Sequence, residues 1–248
     1  MSNALPNPEQ KRSYVQAMFT EIADRYDFLN SLISLNLDAP WRRKMVRACR
    51  LTGSETVLDI GTGSGVSAFA LARALRPDGF VLGADFAHGM LRVAQKKQVQ
   101  KEGASLGARA KAGCAFVNAD ALELPFPDST FDAVTSAFVL RNLVDLHKGF
   151  ADMARVTKSG GRVVALEICR PDAPLLKLLF RTYFYGWVPL LGSLLSRRRD
   201  AYTYLPHSLT NFPIKTDLTA IMARAGLTRT AYHLLAGGMA ALYVGVKP

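Results

Sequence analysis

Cysteine is scarce in this chain of 248 residues, which contains only three. Cys49, Cys114 and Cys169 are far apart, and none belongs to a CxxC pair. An odd number of separated cysteines excludes a disulfide framework and a cysteine zinc motif. No other cluster of metal ligands is apparent, so we expect no bound metal.

Long apolar segments are also missing. Residues 1–8 contain no apolar signal core. The most apolar stretch, 175–195, is interrupted by two charges, two glycines and a proline, and a spanning helix needs ~18 uninterrupted residues. We therefore expect no transmembrane helix, and a cytoplasmic location with reduced thiols.

Positive charge is what the chain has in excess. It contains 31 Lys and Arg against 20 Asp and Glu, a formal net charge of +11. This balance favours an anionic partner such as nucleic acid, acidic lipid or a phosphorylated substrate. Hydrophobic residues make up 49%, which is enough for a sizeable core.

Short apolar segments alternate with stretches of helical periodicity in the middle of the chain. Strands are predicted at 56–60, 80–84, 114–117, 131–137 and 162–168, and helices at 67–75, 90–101 and 145–157. This alternation predicts parallel pairing in a layered α/β fold. At the C-terminus, segments 227–235 and 240–246 predict an antiparallel edge hairpin.

The N-terminal part is predicted to be helical. A capping box at Ser13 predicts a helix that starts there, after a loose arm at 1–12. A second, strongly basic helix is predicted from Pro40 to Cys49. A glycine pair at 160–161 predicts a turn before the fifth strand.

A glycine-rich loop, Asp59-Ile-Gly-Thr-Gly-Ser-Gly65, follows the first predicted strand. Glycine allows a tight turn and close approach to a ligand, and the next helix offers free N–H groups. The third glycine comes one residue too early for a dinucleotide motif, and no P-loop is present. Asp85 and Asp120 follow the next two strands and could accept hydrogen bonds from a ribose and an adenine amino group. The set predicts a nucleoside pocket that suits S-adenosylmethionine, although glycines in a plain turn with capping acids would give a similar pattern.

More specific segments lie outside this loop. They are Met18-Phe-x-x-Ile-Ala-x-x-Tyr26-Asp-x-x-Asn30, Trp41-Arg42, Ala119 to Asp128, Leu140-Arg141-Asn142, Gly160-Gly-Arg162, Leu166-Glu167, Tyr202-x-Tyr-Leu205 and Gly237 to Tyr243. Together they resemble the ubiquinone/menaquinone biosynthesis C-methyltransferases, which are class I S-adenosylmethionine-dependent enzymes. The resemblance extends from about residue 14 to the C-terminus.

The resemblance implies a Rossmann-like α/β fold of the class I methyltransferase type. This fold has a mostly parallel seven-stranded sheet with an antiparallel last strand. It also implies one domain over residues 1–248, with a helical N-terminal cap at 1–50 and a helical lid or substrate insertion at 170–213.

The resemblance also implies which residues bind S-adenosylmethionine and its product S-adenosylhomocysteine. Carried over by position, they are Asp59, Gly61, Thr62, Gly63, Ser64, Gly65, Asp85, Phe86, Met90, Asp120, Ala121 and Ala137. The family has a serine at position 137, so that contact is expected to be lost or made by the backbone.

The implied reaction is methyl transfer to a ring carbon of a lipophilic prenylated quinol, either demethylmenaquinol or the related ubiquinone precursor. The ring becomes nucleophilic when a hydroxyl is deprotonated, and the carbon must be held in line with the methyl group. We expect Arg141 to stabilise the phenolate and Asn142 to orient an oxygen. A structural ion pair of Arg141 with Asp24 or Asp145 is the alternative.

Aromatic residues are expected to wall the acceptor site. The candidates are Tyr26, Phe28, Trp41 and Phe138, of which Tyr26 is favoured because it belongs to the N-terminal signature. Aromatic residues at helical spacing also occur as plain core.

Two departures from the family concern the proton route. Asn36 and Asp38 stand where the family has Gly-x-His, and His207 stands where it often has Glu. We hypothesise that Asp38 orients His207 as a base, the alternative being a surface histidine and a capping aspartate. The departures also keep open another small-molecule acceptor, such as a secondary metabolite, polyketide or terpenoid.

The apolar segment from Pro174 is followed by three arginines at 197–199. We hypothesise that it covers the site, accepts the prenyl tail and rests peripherally on acidic lipid at the inner face of the membrane. A buried helical subdomain or a homodimer face is the alternative. No nucleic-acid partner is expected, because the loop after the fourth strand lacks the Asn/Asp-Pro-Pro-Tyr pattern of base methyltransferases.

Overall fold

The computed structural model describes residues 8–103, 112–187, 208–209, 212–213 and 215–248. The helices are α1 Pro8–Ser34, α2 Asp38–Ala48, α3 Val66–Ala72, α4 His88–Gly103, α5 Leu146–Val156, α6 Pro174–Thr182 and α7 Lys215–Arg224. The strands are β1 Thr56–Ile60, β2 Phe80–Asp85, β3 Gly113–Asn118, β4 Phe131–Ala137, β5 Thr157–Ile168, β6 Thr228–Leu235 and β7 Ala240–Val246. A 3-10 turn at Leu140–Asn142 and a π-helical turn at Tyr183–Trp187 complete the elements near the site.

The strands form one seven-stranded sheet in the order β3-β2-β1-β4-β5-β7-β6. The first five strands are parallel, and β7 runs antiparallel to both β5 and β6. The predicted fold, with its reversed last strand, is therefore confirmed. The central strands β1 and β4 are buried along almost their whole length, because helices cover both faces of a parallel sheet.

Alternate residues of the strands pack on opposite faces of the sheet. Leu58 and Ile60 of β1 join a core cluster with Phe150 of α5 and Met222 of α7. Val57 points to the other cluster, which includes side chains of α2 and α3. The sheet is thus the middle of three layers, and its carboxyl edge lies open to the N-terminal helix α1.

The structure corrects the start of the first helix. It begins at Pro8, so residues 8–12 are helical and Ser13 is not a cap. The Ser13 hydroxyl donates to the Gln10 carbonyl inside the helix, and Gln16 donates to the Phe86 carbonyl at 2.7 Å. Pro8 suits a first helical position, and contacts to distant loops stabilise the turns after it.

The structure also corrects the fifth strand. β5 begins at Thr157 and continues through the glycine pair that predicted a turn. Gly160 N donates to the Lys247 carbonyl, and Lys247 N donates to the Gly161 carbonyl, each at 2.9 Å. Pairing with the C-terminal residues therefore keeps this segment in the sheet, as an irregularity opposite β4 in which Gly160 has a φ of +78°. None of the described helices is both long and apolar enough to span a bilayer.

Candidate functional site

Two cavities meet at the carboxyl edge of the sheet, beneath α1. The smaller has a volume of about 90 Å³ and lies over the glycine-rich loop, and the larger has a volume of about 420 Å³. Phe19, Tyr26, Phe138 and Asn142 line both. The two cavities are therefore adjacent and together give a site with a polar and an apolar half.

The glycine-rich loop forms the floor of the smaller cavity. Gly61, Gly63 and Gly65 have φ values of +60°, +57° and +83°, a region that side chains with a Cβ rarely adopt. A Cβ on Gly63 would meet no atom within 4 Å, so this part of the loop is open. Gly63 N donates to Asp85 at 2.8 Å, which ties the loop to the end of β2.

Two buried carboxylates support this loop. Asp85 also accepts a hydrogen bond from Ala87 N at 2.8 Å, and burial raises its pKa above the usual value. Asp59 accepts from the hydroxyls of Thr62 at 2.7 Å and Thr135 at 2.8 Å. Burial raises the pKa of Asp59 to about 6, although the two hydroxyls oppose the shift. Asp59 therefore connects the loop, through Thr62, with strand β4, through Thr135.

The structure brings most of the predicted cofactor residues together. Those that line the smaller cavity are Gly61, Gly63, Asp85, Phe86, Met90, Asp120, Ala121 and Ala137. Asp59, Thr62, Ser64 and Gly65 do not line it.

Three of the residues that do not line the smaller cavity have structural roles. The Ser64 hydroxyl donates to Asp27 of α1, whose carboxylate also pairs with Lys97 of α4. Thr62 N donates to the Ala84 carbonyl, and Gly65 precedes the first turn of α3. These contacts fix the loop between α1 and the sheet.

The beginning of α1 supplies residues that the sequence did not indicate. Arg12 lines the smaller cavity and pairs with Asp120 at 2.6 Å. Lys11 donates to the carbonyls of Arg141 at 3.0 Å and Leu143 at 3.1 Å, and burial lowers its pKa. Pro8 was the available signal, because proline favours the first turn of a helix.

The larger cavity is mostly apolar, with a few convergent polar groups. Arg141, Asn142, Asp38 and Tyr26, four of the five predicted catalytic residues, line it. The fifth, His207, lies outside the described residues.

Asp38 is held by its own helix and the end of α1. Its carboxylate accepts from the Ser34 hydroxyl at 2.9 Å and from Arg42 Nε at 3.2 Å. Both oxygens therefore have local donors, and a pair with His207 stays a hypothesis.

Arg141 is buried at the boundary of the larger cavity. Its Nη1 pairs with Glu167, and its backbone N donates to Glu167 Oε2 at 3.3 Å. The expected alternative partners were wrong, because Asp24 is exposed and Asp145 caps α5 by accepting from Lys148 N at 2.9 Å. Within the described part of the chain, Arg141 Nε has no hydrogen-bond partner.

Aromatic side chains separate the two halves of the site. Tyr26 packs edge-to-face on Phe19, with ring centroids 5.8 Å apart. Burial raises the pKa of the Tyr26 phenol, although the positive charges of Arg141 and Arg42 oppose the shift. Tyr26 therefore stays neutral and can donate a hydrogen bond. Phe28, by contrast, is 66% exposed, so its predicted wall position was wrong.

Phe138 follows β4 with an unusual backbone. Its φ is +65°, a region rarely adopted by residues other than glycine, and its N donates to the Leu166 carbonyl at 2.7 Å. Strained residues of this kind concentrate at functional sites. Trp41, the remaining predicted aromatic, lines the larger cavity as well.

An exposed apolar surface borders the larger cavity, and we call it the apolar rim. It consists of Leu35, Leu37, Leu175, Leu178, Leu179 and Trp187, each between 40% and 68% exposed. Leu35, Leu37 and Leu179 also line the cavity, so the rim includes its mouth. Lys177 and Arg181 are exposed on the same helix, α6.

The resemblance to known methyltransferases is confirmed by comparison. Residues 7–247 match the model of the ubiE/COQ5 methyltransferase family. The demethylmenaquinone methyltransferase of Roseiflexus castenholzii is 41% identical over 99% of this chain and 98% of the relative. The enzyme of the same name from Thermus thermophilus is 43% identical over 93% of this chain and the whole relative.

A solved structure shows the same fold. The S-adenosylmethionine-dependent methyltransferase from Aquifex aeolicus superposes with a TM-score of 0.59 at 19% identity. The match covers 84% of this chain and 89% of the other.

Proposed function

Because this chain belongs to the ubiE/COQ5 methyltransferase family, we propose that it methylates a ring carbon of a prenylated quinol, converting demethylmenaquinol to menaquinol. It is an S-adenosylmethionine-dependent methyltransferase. The observation that carries the acceptor assignment is the position of the two cavities, in which a nucleoside-type pocket adjoins an apolar cavity lined by a buried arginine.

The residues present fit the cofactor. The open glycine at 63 leaves room for a ligand against the backbone, and Asp85 and Asp120 place carboxylates along the same cavity. Asp85 suits the ribose hydroxyls and Asp120 the adenine amino group. When bound, S-adenosylmethionine supplies an electrophilic methyl group.

Residues of this chain prepare the acceptor in the larger cavity. Arg141 stabilises the negative charge that develops on a quinol oxygen, because a buried cation acts strongly where water is excluded. Asn142 lines both cavities and orients that oxygen toward the junction, and the neutral Tyr26 phenol donates to it. The apolar side chains of α1 and α6 exclude water and accept the first part of the tail.

The test is transfer of a labelled methyl group from S-adenosylmethionine to a panel of prenylated quinones, each with and without a chemical reductant. Reductant-dependent labelling of a demethylmenaquinone is expected. Cofactor binding without labelling of any quinol would overturn the proposal and favour another small-molecule acceptor.

The apolar rim supports a second part of the proposal, namely that this face rests on an acidic lipid surface. Exposed leucines at spacings of three and four residues give α6 one apolar face, beside Lys177 and Arg181. Basic side chains near apolar ones suit the anionic headgroup region of a membrane, where each contributes about 1 kcal/mol. A prenylated substrate dissolved in the bilayer would then enter the cavity directly through the rim.

Sedimentation with vesicles of phosphatidylglycerol tests this docking. Leu178→Glu should weaken binding several-fold at low salt, whereas Leu234→Glu, on the edge strand β6, should not. If Leu178→Glu instead abolished a concentration-dependent dimer and left vesicle binding intact, the rim would be a contact between two copies and the lipid proposal would be wrong.

A further inference from the structure

Glu167 is a fully buried carboxylate next to the proposed acceptor site. β4 ends at Ala137, which pairs with Leu166 of β5, so Glu167 is the first residue beyond the β4–β5 ladder, while its other edge still pairs with Ala241 of β7. From there its side chain reaches the loop after β4, which carries Arg141. In the sequence, Glu167 stands out only as part of a family signature, with no role attached to it.

The carboxylate of Glu167 holds Arg141 at two points. One oxygen pairs with Nη1 of the guanidinium, and Oε2 accepts from the Arg141 backbone N at 3.3 Å. Ile168 N donates to Oε1 at 2.9 Å and anchors the carboxylate itself. Backbone and side chain of Arg141 are therefore fixed by the same acid, which limits the positions available to the guanidinium.

The part of the Arg141 guanidinium that Glu167 does not hold includes Nε, which is buried. Arg141 lines the larger cavity, and its Nε has no hydrogen-bond partner among the residues that the structure describes. A buried donor without an acceptor is costly, and in a native site it calls for an explanation. Because Nε is enclosed by protein atoms, the charge of the guanidinium, rather than a hydrogen bond from Nε, acts on an acceptor oxygen in the cavity.

We propose that Glu167 is a positioning residue, which holds the Arg141 guanidinium at the wall of the larger cavity and tempers the positive field that this guanidinium exerts on the acceptor oxygen. The proposal rests on the proposed function, because it takes a phenolic oxygen as the ligand of Arg141. The Glu167 carboxylate thus favours turnover by orienting the guanidinium, and it opposes ionisation of the acceptor through its own negative charge.

These two effects separate a positioning role from a purely structural one. Without the negative charge of Glu167, the guanidinium is less well oriented, so turnover falls. The site also becomes more positive, so a bound phenol ionises at lower pH. A pair that only stabilised the fold would leave the ionisation of the bound phenol unchanged.

The experiment uses 1-naphthol, which has the phenolic oxygen of a naphthoquinol and absorbs differently when ionised. Its ionisation is followed by absorbance when bound to the full chain with S-adenosylhomocysteine. The proteins compared are the wild type, Glu167→Gln and Glu167→Asp. Asp132→Asn is the control, because Asp132 accepts from Lys158 and Thr56 N and lines neither cavity.

For Glu167→Gln we expect ionisation of bound naphthol at a pH about half a unit or more below the wild type, and kcat about tenfold lower. Asp132→Asn should match the wild type in the ionisation midpoint of bound naphthol and in kcat. An unchanged ionisation midpoint in Glu167→Gln would overturn the proposal, whatever the effect on kcat.

Glu167→Asp keeps the proposal testable if the glutamine variant does not fold. It keeps the charge but withdraws the carboxylate by one methylene, so we expect the wild-type ionisation midpoint with a reduced kcat. Wild-type turnover in this variant would show that the position of the carboxylate does not matter and would overturn the proposal. Failure of the wild type to methylate any quinol would overturn the proposed function alone, because the naphthol titration does not depend on turnover.

Discussion

The guanidinium carbon of Arg42 lies 5.0 Å from the centroid of the Phe138 ring. A buried cation thus stacks on the aromatic residue that separates the two cavities. The same guanidinium pairs with Asp38 at 3.2 Å and donates to the Ser67 hydroxyl in α3. One side chain therefore connects two helices with the loop after β4.

Replacing Arg42 tests this connection. Arg42→Ala removes a buried side chain and leaves the half-buried Asp38 carboxylate without its cation, so we expect the free energy of unfolding to fall by about 3 kcal/mol. The neighbouring Arg43 is exposed on the same helix, and Arg43→Ala should change stability by less than about 0.5 kcal/mol. Urea denaturation measures both, and equal effects of the two variants would contradict the interpretation.

Substitution of Gly63 by alanine, compared with the same change at another glycine, distinguishes the effect of backbone strain from the loss of ligand contact. Alanine at this position should destabilise the fold by about 1–2 kcal/mol because of its positive φ, and its methyl group should weaken S-adenosylmethionine binding at least about tenfold. Gly226 has a φ of +91° and equally open surroundings, but it lies between α7 and β6. Gly226→Ala should therefore lower the melting temperature about as much as Gly63→Ala does. Its affinity for S-adenosylmethionine, measured by calorimetry, should equal that of the wild type. Equal affinities for both variants would remove Gly63 from the binding surface.

Lys97 links α1 to the glycine-rich loop. It pairs with Asp27 and donates to the Ser64 carbonyl at 3.1 Å. Lys97→Met keeps the aliphatic stem but loosens the loop, so we expect S-adenosylmethionine to bind roughly fivefold more weakly, about 1 kcal/mol. The exposed neighbour provides the control, because Lys96→Met should bind like the wild type in the same calorimetric titration. Equal S-adenosylmethionine affinities for the two variants would mean that the contacts of Lys97 with Asp27 and Ser64 do not hold the loop in its binding conformation.

Asp59 predicts a pH dependence of stability. Its pKa is raised from 3.8 to about 6 by burial, so the protonated form favours the folded state. This contribution is complete below the pKa of the unfolded chain and is lost as the pH rises through the folded value. Between about pH 4.5 and about pH 8, the wild type should therefore lose about 2 kcal/mol relative to Asp59→Asn. Urea denaturation at both pH values checks this, and a constant difference would contradict it.

The strands and the glycine-rich loop could be predicted because their signals are local. β1 and β4 are apolar at more than half of their positions, and the glycines stand where the chain must turn. The acids after β2 and β3 converge because parallel strands end at the same edge. Hence the sequence positions of Asp85 and Asp120 were enough to place both residues in one pocket.

Contacts between distant segments had no such signal. Glu167 pairs with Arg141 because strand register brings the end of β5 beside the loop after β4, whereas the expected partners were Asp145 and Asp24. The first turns of α1 are polar and look unstructured, yet Lys11 and Arg12 reach loops more than a hundred residues away. Tertiary contacts, rather than local preference, decide where this helix begins.

The length of α1 has a mechanical consequence. Contacts near its beginning hold Asp120 and the carbonyls beside Asn142, and about 22 Å further along, Asp27 holds the glycine-rich loop. A helix that is held at both of these positions cannot move away from one cavity and leave the other covered. We therefore expect uptake and release at the two cavities to be coupled, because the same helix covers both.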